Sequence, residues 1–597
     1  MLKRRILFLG LLVAVSIFTF VGCKSKSGGG SGTVYKDQVV VHALSDAEGL
    51  NPYTTSDAHA TQMMRNIFQP LINYNMSESS ELIPVLAKGR PEIKVLPGNT
   101  GMEITFEIRE EAAWDNGTPI TAEDVVFSYK ALFCPGVNSE SNKSSLEFVQ
   151  DVVTYPENPK KVTIISNKVY SLAEDATGTD VFIIPSYAYD PNNLLKEFKV
   201  KDIINNTGGL DQNQKIKDFA KQFNSPLYAK EDVTKIIGSG AYKVEKWETN
   251  QQVVLVKKDN WWGSKMKEEN MYFVANPKRI IYKTINDIST AITALKDEQL
   301  DVLYITPAKE FIDLSKSDKF NLNFKKSEPP MPVYAYLGLN TRDKILKDVK
   351  VREALAYLTN VDLIIEKIQY GQAKRVLADI LPSNKEDYNN NISPRKFDVE
   401  KAKALLAEAG WKDTDGDGIL DKVLEGQKTP LKLVYQFNEG NDTRKNIGLL
   451  AKEWWKQVGI EVEVISKEWS IYLDELEKQQ VQLWYGSWIQ DPRDNDPRQI
   501  WHTESRNGGS NYTGFGNAET DKLIEQINME LDPAKRSVLY KQWQEILYKE
   551  VPYIFLYTQS YRNVIHKRFD NLREGTRYAG YWEAGFTVRK GYKVEEK

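Results

Sequence analysis

An α/β fold in more than one domain is predicted by two strand–helix–strand patterns in separate regions and by a length of 597 residues, more than one hydrophobic core fills. In the first pattern, residues 280–284 read as a strand, Asp287 caps a helix running to about Leu300, and residues 301–305 form a second strand. In the second, Leu431, Leu433 and Tyr435 alternate along a strand, and a helix covers about 443–458. Gly459 breaks that helix, after which Ile460, Val462 and Val464 alternate against Glu461 and Glu463. Strands joined through a helical crossover imply partly parallel sheets.

The N-terminus sets the compartment. Lys3, Arg4 and Arg5 precede an apolar run over residues 6–21, short for a membrane span and suited to a signal sequence. Small residues lead to Cys23, and a Ser/Gly tether follows. The pattern resembles a bacterial lipoprotein signal: residues 1–22 would be removed, Cys23 lipidated, and 23–33 left as tether. The alternative is an uncleaved anchor helix. Cys134, the only other cysteine, leaves no disulfide for the mature chain and reads as a small buried hydrophobe.

Beyond the tether, residues 38–44 read as a strand that turns out through Gly49-Leu50-Asn51-Pro52-Tyr53, and residues 61–71 as a short amphipathic helix. Ile104, Phe106 and Ile108 alternate along a half-buried strand. After the turn Trp114-Asp115-Asn116-Gly117-Thr118-Pro119, Thr121 and Asp124 form a capping pair for the next helix. Residues 190–234 are polar and aperiodic. Helices are predicted at 348–359 and at 398–409, the second capped by Asp398 and stopped by Gly410.

Hydrophobic residues make up 41 % and charged residues 27 %, ordinary for a globular protein, and a net charge of −3 argues against a nucleic-acid partner. The four histidines, His42, His59, His502 and His566, form no His-x3-His pair, and no Gly-x-Ser-x-Gly or phosphate-binding Gly-Lys loop occurs. Gly238-Ser239-Gly240 precedes a strand, the reverse of the order a dinucleotide site needs. No catalytic set is found, so the chain is read as a non-enzyme. A pair of carboxylates meeting in space, as in glycan hydrolysis, leaves no sequence trace and stays open.

Asp413-Thr414-Asp415-Gly416-Asp417-Gly418 matches the first half of a Ca²⁺ loop, with Asp413, Asp415 and Asp417 as candidate ligands. Leu424 occupies the twelfth position and Glu425 comes one place late, so the favoured reading is an Asp/Gly turn, with weak Ca²⁺ binding as the alternative. No other cofactor is expected.

The chain is rich in aromatics, with 13 Trp, 30 Tyr and 22 Phe. Residues 484–501 combine Trp484, Tyr485, Trp488 and Trp501 with Asp491, Asp494 and Asp496, so the stretch is either a pocket wall or a plug between domains. Tyr334 and Tyr336 face one way along an apparent strand and are candidates for lining a cleft, as is Tyr53.

Several segments together resemble the bacterial extracellular solute-binding proteins of oligopeptide, dipeptide and nickel ABC importers. These are Trp114 to Ser128; Ile237 to Lys243 with Trp247 and Asp259-Asn260-Trp261-Trp262-Gly263; Leu339-Asn340-Thr341 with Asp348 to Leu355; and Ala402 to Gly418. Gln69-Pro70-Leu71, Asn360-Val361-Asp362 and the long 190–234 segment depart from the pattern. The resemblance implies two lobes around a cleft, a closing hinge and a third domain. Domain I would comprise 34–75, 235–338 and 551–597, domain II 76–234 and domain III 339–550.

It also implies a monomeric, lipid-anchored receptor in the cell envelope, facing the periplasm or the exterior, that hands a peptide or other small solute to permease subunits. By the same resemblance Asp491 would receive a peptide α-ammonium, with Trp488 and Tyr485 beside it. Main-chain groups of the 333–339 strand would bond an extended peptide. No cation near that loop is an obvious anchor for a peptide C-terminus; Arg493 and Arg498 are candidates, each beside a proline. An oligosaccharide or metal chelate on the same fold, an envelope sensor and, more remotely, an envelope hydrolase are the alternatives. A carboxylate at Asp491 points to an amine ligand, whereas a site of aromatics alone would point to sugar.

Overall fold

The computed structural model describes residues 37–589 except 56, 77–80, 226–231, 268, 305 and 491–495. The signal segment, Cys23, the tether, Asp491, Arg493 and Asp494 therefore lie outside the described residues. The chain opens with β1 (Gln38–Ala43) and α1 (Ala58–Ile67), the helix capped by the Asp57 carboxylate, which accepts from Ala60 N. The helix begins and ends earlier than its periodicity suggests. Pro70 disfavours helical geometry at the preceding residue, and the backbone is already extended at Phe68.

The chain then builds an antiparallel sheet from β2 (Glu92–Val95), β3 (Met102–Glu107), β4 (Val149–Tyr155) and β5 (Asn158–Ser166), in the order β2-β3-β5-β4. The helix α2 (Ala122–Phe133) precedes β4, and its capping box between Thr121 and Asp124 is present as predicted. Asp124 also accepts from Trp114 Nε1 at 3.3 Å, so one carboxylate ties the Trp–Asp–Asn–Gly turn to the helix start. Burial pushes this carboxyl up to about 6.

The chain returns with β6 (Tyr242–Glu248), β7 (Gln252–Lys257), β8 (Arg279–Thr284), α3 (Ile288–Lys296), β9 (Val302–Leu303), α4 (Ala308–Ser315) and β10 (Phe324–Ser327). A second lobe follows: β11 (Val333–Leu339), β12 (Ala373–Arg375), β13 (Lys432–Asn438), α5 (Asp442–Lys456), β14 (Glu461–Lys467), α6 (Trp469–Glu477), β15 (Leu483–Ile489), α7 (Pro533–Glu550) and β16 (Tyr553–Gln559). The last of these strands leads back to β17 (Asn563–His566) in the first lobe.

The first sheet runs β10-β17-β9-β1-β8-β7-β6, with β1 parallel to both β8 and β9, so the first predicted strand–helix–strand unit straddles β1. The second runs β12-β16-β11-β15-β13-β14, with β13 and β14 parallel around the α5 crossover, as predicted. Both β11 and β16 belong to this second sheet. The predicted domain boundaries at 338/339 and 550/551 thus each assign one strand to the wrong lobe. An alternating strand shows which face it buries but not which sheet it joins.

Two short crossovers join the lobes. Pro329-Pro330-Met331-Pro332 and Ser560-Tyr561-Arg562 run antiparallel, with Pro330 bridged to Ser560. Met331 N donates to Gln559 O at 3.1 Å and Tyr561 N to Pro329 O at 2.9 Å. The largest hydrophobic cluster runs continuously from β1 and β8 into the four-stranded sheet, whereas the two faces of the second sheet carry clusters of their own. The third domain is therefore fused to the first lobe by its core. The second lobe packs separately, an arrangement suited to motion about two crossovers. Cys134 is buried, as expected.

Candidate functional site

The strand β11 decides which residues meet the cleft. Its register with β15 pairs Tyr334 with Trp488 and Tyr336 with Gly486 on one face, and Ala335 with Ser487 and Leu337 with Tyr485 on the other. On the first face the rings interlock. Tyr336 stacks on Tyr553 with centroids 3.7 Å apart, Tyr334 tilts against Phe555 at 5.6 Å, and Trp488 Nε1 donates to Tyr553 Oη at 3.2 Å. Gly486 is required here, because a Cβ would stand 2.4 Å from the Tyr336 ring. This face is core. Tyr334 and Tyr336 are buried behind the site rather than lining it, a correction to the sequence reading, and Trp488 lies on the same face.

Beneath them Asp379 is fully enclosed and accepts from Trp501 Nε1 at 2.9 Å and Trp543 Nε1 at 3.0 Å, while burial pushes its carboxyl up to about 6. Trp501 thus closes the core instead of facing solute. Tyr53 is likewise buried: its hydroxyl donates to Phe182 O at 2.5 Å and its ring stacks on Phe223.

The opposite face of β11 is small. Val333 and Ala335, with Ser487 on β15, floor a cavity of about 610 Å³. One wall is Pro307 to Glu310, leading into α4 of the first lobe. Another is Asn441 to Arg444 at the start of α5, and Arg562 closes the end beside the crossovers. This is space between lobes, the usual location of a small-molecule site. Tyr485 lines it. Its hydroxyl bonds the Tyr557 hydroxyl at 2.8 Å, and Gln369 Nε2 donates to that same oxygen at 2.8 Å.

Two guanidiniums face this cavity. Arg444 donates to Asn438 Oδ1 at 2.7 Å and lies over the rings of Trp469 and Tyr485 at 5.6 and 5.7 Å. Arg562 donates from Nε to Thr306 O at 2.8 Å and from Nη1 to Gln559 Oε1 at 3.3 Å. Among the described residues neither has a carboxylate within ion-pair distance. Lys309, Glu310 and Asp442 are the other charged groups of the lining among the described residues. The sequence reading missed both arginines. Arg444 has a readable signal, the Asn441 cap that starts α5, but Arg562 belongs to no periodic segment. Arg498, the cation suggested by proximity to the late loop, pairs with Glu504 instead.

The main chain of β11 is paired along its length with β15 and over 335–338 with β16, so those backbone groups are engaged in the sheet rather than left for the peptide bonds that the resemblance implied. The late stretch does more than turn. Gln490 N donates to Pro332 O at 2.7 Å. Asp496 accepts from Tyr170 Oη at 3.1 Å and from Asn528 Nδ2 at 2.8 Å, joining the second lobe to the neighbourhood of the four-stranded sheet.

The Asp/Gly turn departs from the calcium pattern. Asp413 accepts from Gly416 N and Gly418 N, and Asp417 from Ile419 N. The acids that converge are Asp413, Asp415 and Asp421, so Asp417 is not part of the cluster. Lys428 Nζ lies 2.7 Å from Asp415 and 3.3 Å from Asp421, placing an ammonium where a cation would bind.

A model of "Bacterial extracellular solute-binding proteins, family 5 Middle" matches residues 81–510. The chain belongs to this family. It is 27 % identical over 573 residues to the oligopeptide-binding protein AppA of Bacillus subtilis, covering 93 % of each chain. The solved structure of that protein in complex with a nonapeptide superposes with a TM-score of 0.68 at 24 % identity, over 93 % of this chain and 99 % of the other. NikA from Brucella suis in complex with Fe(III)-EDTA gives a TM-score of 0.71 at 20 % identity, over 92 % of this chain and all of that one. The fold is thus the two-lobed solute-binding fold with hinge and third domain.

Proposed function

We propose that this solute-binding chain captures peptides in the cleft between its lobes and delivers them to an ABC importer, tethered to the membrane through a lipid on Cys23. The observation that carries the reading is the 610 Å³ interlobe cavity, floored by small side chains and faced by two arginines that have no carboxylate partner among the described residues. Such a lining suits an extended solute that carries at least one carboxylate. Arg444, at the N-terminus of α5 where the helix dipole also favours an anion, is placed to take a peptide α-carboxylate. The resemblance to peptide-binding relatives assigns the α-ammonium to Asp491. An ammonium and a carboxylate paired in a closed cleft hold strongly, since a buried charge deprived of its partner costs about 3–5 kcal/mol.

The same two arginines support a second reading, an anionic metal chelate. Sugar loses its main support, because Tyr334, Tyr336 and Trp501 turn their faces to the core. The test is to purify the chain from residue 24, strip it by unfolding and refolding, and identify by mass spectrometry what the unstripped protein carried. Peptides that rebind by calorimetry and weaken at least tenfold in Asp491→Asn and Arg444→Gln support the reading. Chelates in their place, or unchanged peptide affinity in both variants, overturn it.

A further inference from the structure

The fold treats Arg562 unlike three other buried arginines, Arg568, Arg352 and Arg109. Arg568, 3 % exposed, holds Asp301 through two bonds of 2.7 and 2.6 Å. Arg352, also 3 % exposed, reaches the Glu550 carboxylate at 3.4 Å and binds three backbone carbonyls besides. Arg109 pairs with Glu269 at 2.8 Å. Arg562 is 8 % exposed and among the described residues has two neutral acceptors, Thr306 O and Gln559 Oε1, for five N–H donors. Among the described residues Glu328 is the acid whose field reaches it, and that side chain is exposed and beyond ion-pair distance.

Burial lowers the affinity of Arg562 for its proton, yet a guanidinium stays charged at any physiological pH. A buried, permanent cation without a counter-ion is costly unless something supplies one. The side chain is also held in place. Thr306 N donates to Arg562 O at 2.9 Å while Arg562 Nε donates back to Thr306 O, a reciprocal pair that fixes the guanidinium at the end of the crossover. The remaining donors lie at the cavity, next to Gln559 and Tyr557.

We infer that Arg562 is a specificity residue: it takes the side-chain carboxylate of an Asp or Glu in the bound solute, so the cleft selects acidic peptides over neutral ones of equal length. The inference rests on the peptide reading above and adds a second anion site to the one assigned to Arg444. Lys309 adds positive charge to the same lining, Glu310 and Asp442 oppose it, and both acids are at the starts of helices.

The test uses the stripped chain and calorimetry with pentapeptides in which Glu replaces Ala at each internal position in turn. Wild type is expected to bind the best Glu peptide at least tenfold more tightly than the all-Ala peptide. Arg562→Gln is expected to bring that ratio to within twofold, and Arg562→Lys to keep part of it, with melting curves confirming that both variants fold. A ratio that survives in Arg562→Gln, or is absent in wild type, overturns the inference while leaving peptide binding intact. Loss of the Arg562 effect on amidating the peptide C-terminus also overturns it, because the residue would then hold the terminal carboxylate. If folded wild type binds no pentapeptide at all, the peptide reading falls first, and selectivity among peptides falls with it.

Discussion

The two faces of β11 carry opposite chemistry within one strand. Toward the core it presents Tyr334 and Tyr336, which pack with Trp484, Tyr553 and Phe555 over the buried Asp379. Toward the cleft it presents Val333 and Ala335, flanked by Ser487, Tyr485 and Tyr557. Large aromatic rings are the more conspicuous feature in a sequence and the natural guess for a ligand platform. In this lobe they stabilise the wall from behind, and the site is the space that small residues leave open. A ligand needs volume, and a strand gains it on one face by placing its bulk on the other.

Removing bulk from the core face tests that division most severely. Tyr336→Ala deletes a ring stacked at 3.7 Å on Tyr553 and is expected to lower unfolding free energy by about 3–5 kcal/mol in urea titrations. A Tyr336→Ala protein of unchanged stability that fails to bind peptide would reverse the assignment of the faces.

The pH dependence of the same face is next. The Asp379 carboxyl is raised to about 6, above the ordinary value of 3.8, so between those values the folded state holds more protons than the unfolded one. Its contribution to stability is therefore fully present below the unfolded value and is lost as pH rises from about 4 to about 6. At about 1.4 kcal/mol per pH unit this amounts to at most about 3 kcal/mol. Asp379→Asn, which cannot ionise, should gain on wild type across that window and run parallel to it above. Parallel curves from pH 4 to 7 would show that the carboxyl is not perturbed.

Adding bulk to the cleft face should do the reverse of the first change. Ser487→Trp fills part of the cavity over the floor and is expected to weaken solute binding tenfold or more, about 1.4 kcal/mol, with a smaller change in melting temperature. Equal affinity in this variant would show that the solute binds elsewhere. The Asp/Gly turn lies outside both faces and gives the smallest effect. Because Lys428 already neutralises Asp415 and Asp421, millimolar Ca²⁺ or EDTA should shift wild-type melting by less than about 1 °C. Lys428→Ala should respond more to Ca²⁺ than wild type does, and a larger shift in wild type would restore the metal reading.

Features that depend on neighbours in the chain were legible from sequence alone. The capping box of Thr121 and Asp124, the parallel pair 432–438 and 461–467 around its helix, the first crossover unit and the burial of Cys134 each follow from periodicity, capping chemistry or composition over a few residues. The combination of local motifs also pointed to the family. What failed depended on sheet assembly. Alternation along 333–339 separated two faces correctly but did not show which one borders the cleft, because that is set by strands distant in sequence, 483–489 and 553–559. The same ignorance put 333–338 and 553–559 in the wrong lobe and offered the main chain of 333–339 to a peptide.

The late stretch was partly legible in the same sense. Tyr485 reaches the cavity, while Trp488 and Trp501 serve the core and Asp496 ties the lobe to its neighbour across the molecule. Sequence by itself determined the elements, their caps and the membership of the chain in a class of two-lobed binders, since those rest on local propensity and motif order. Only the tertiary structure decided that Arg444 and Arg562 share one cavity. A guanidinium becomes a binding group through what surrounds it, and the surroundings of Arg562 come from the crossovers and from Thr306, more than two hundred residues away, between β9 and α4.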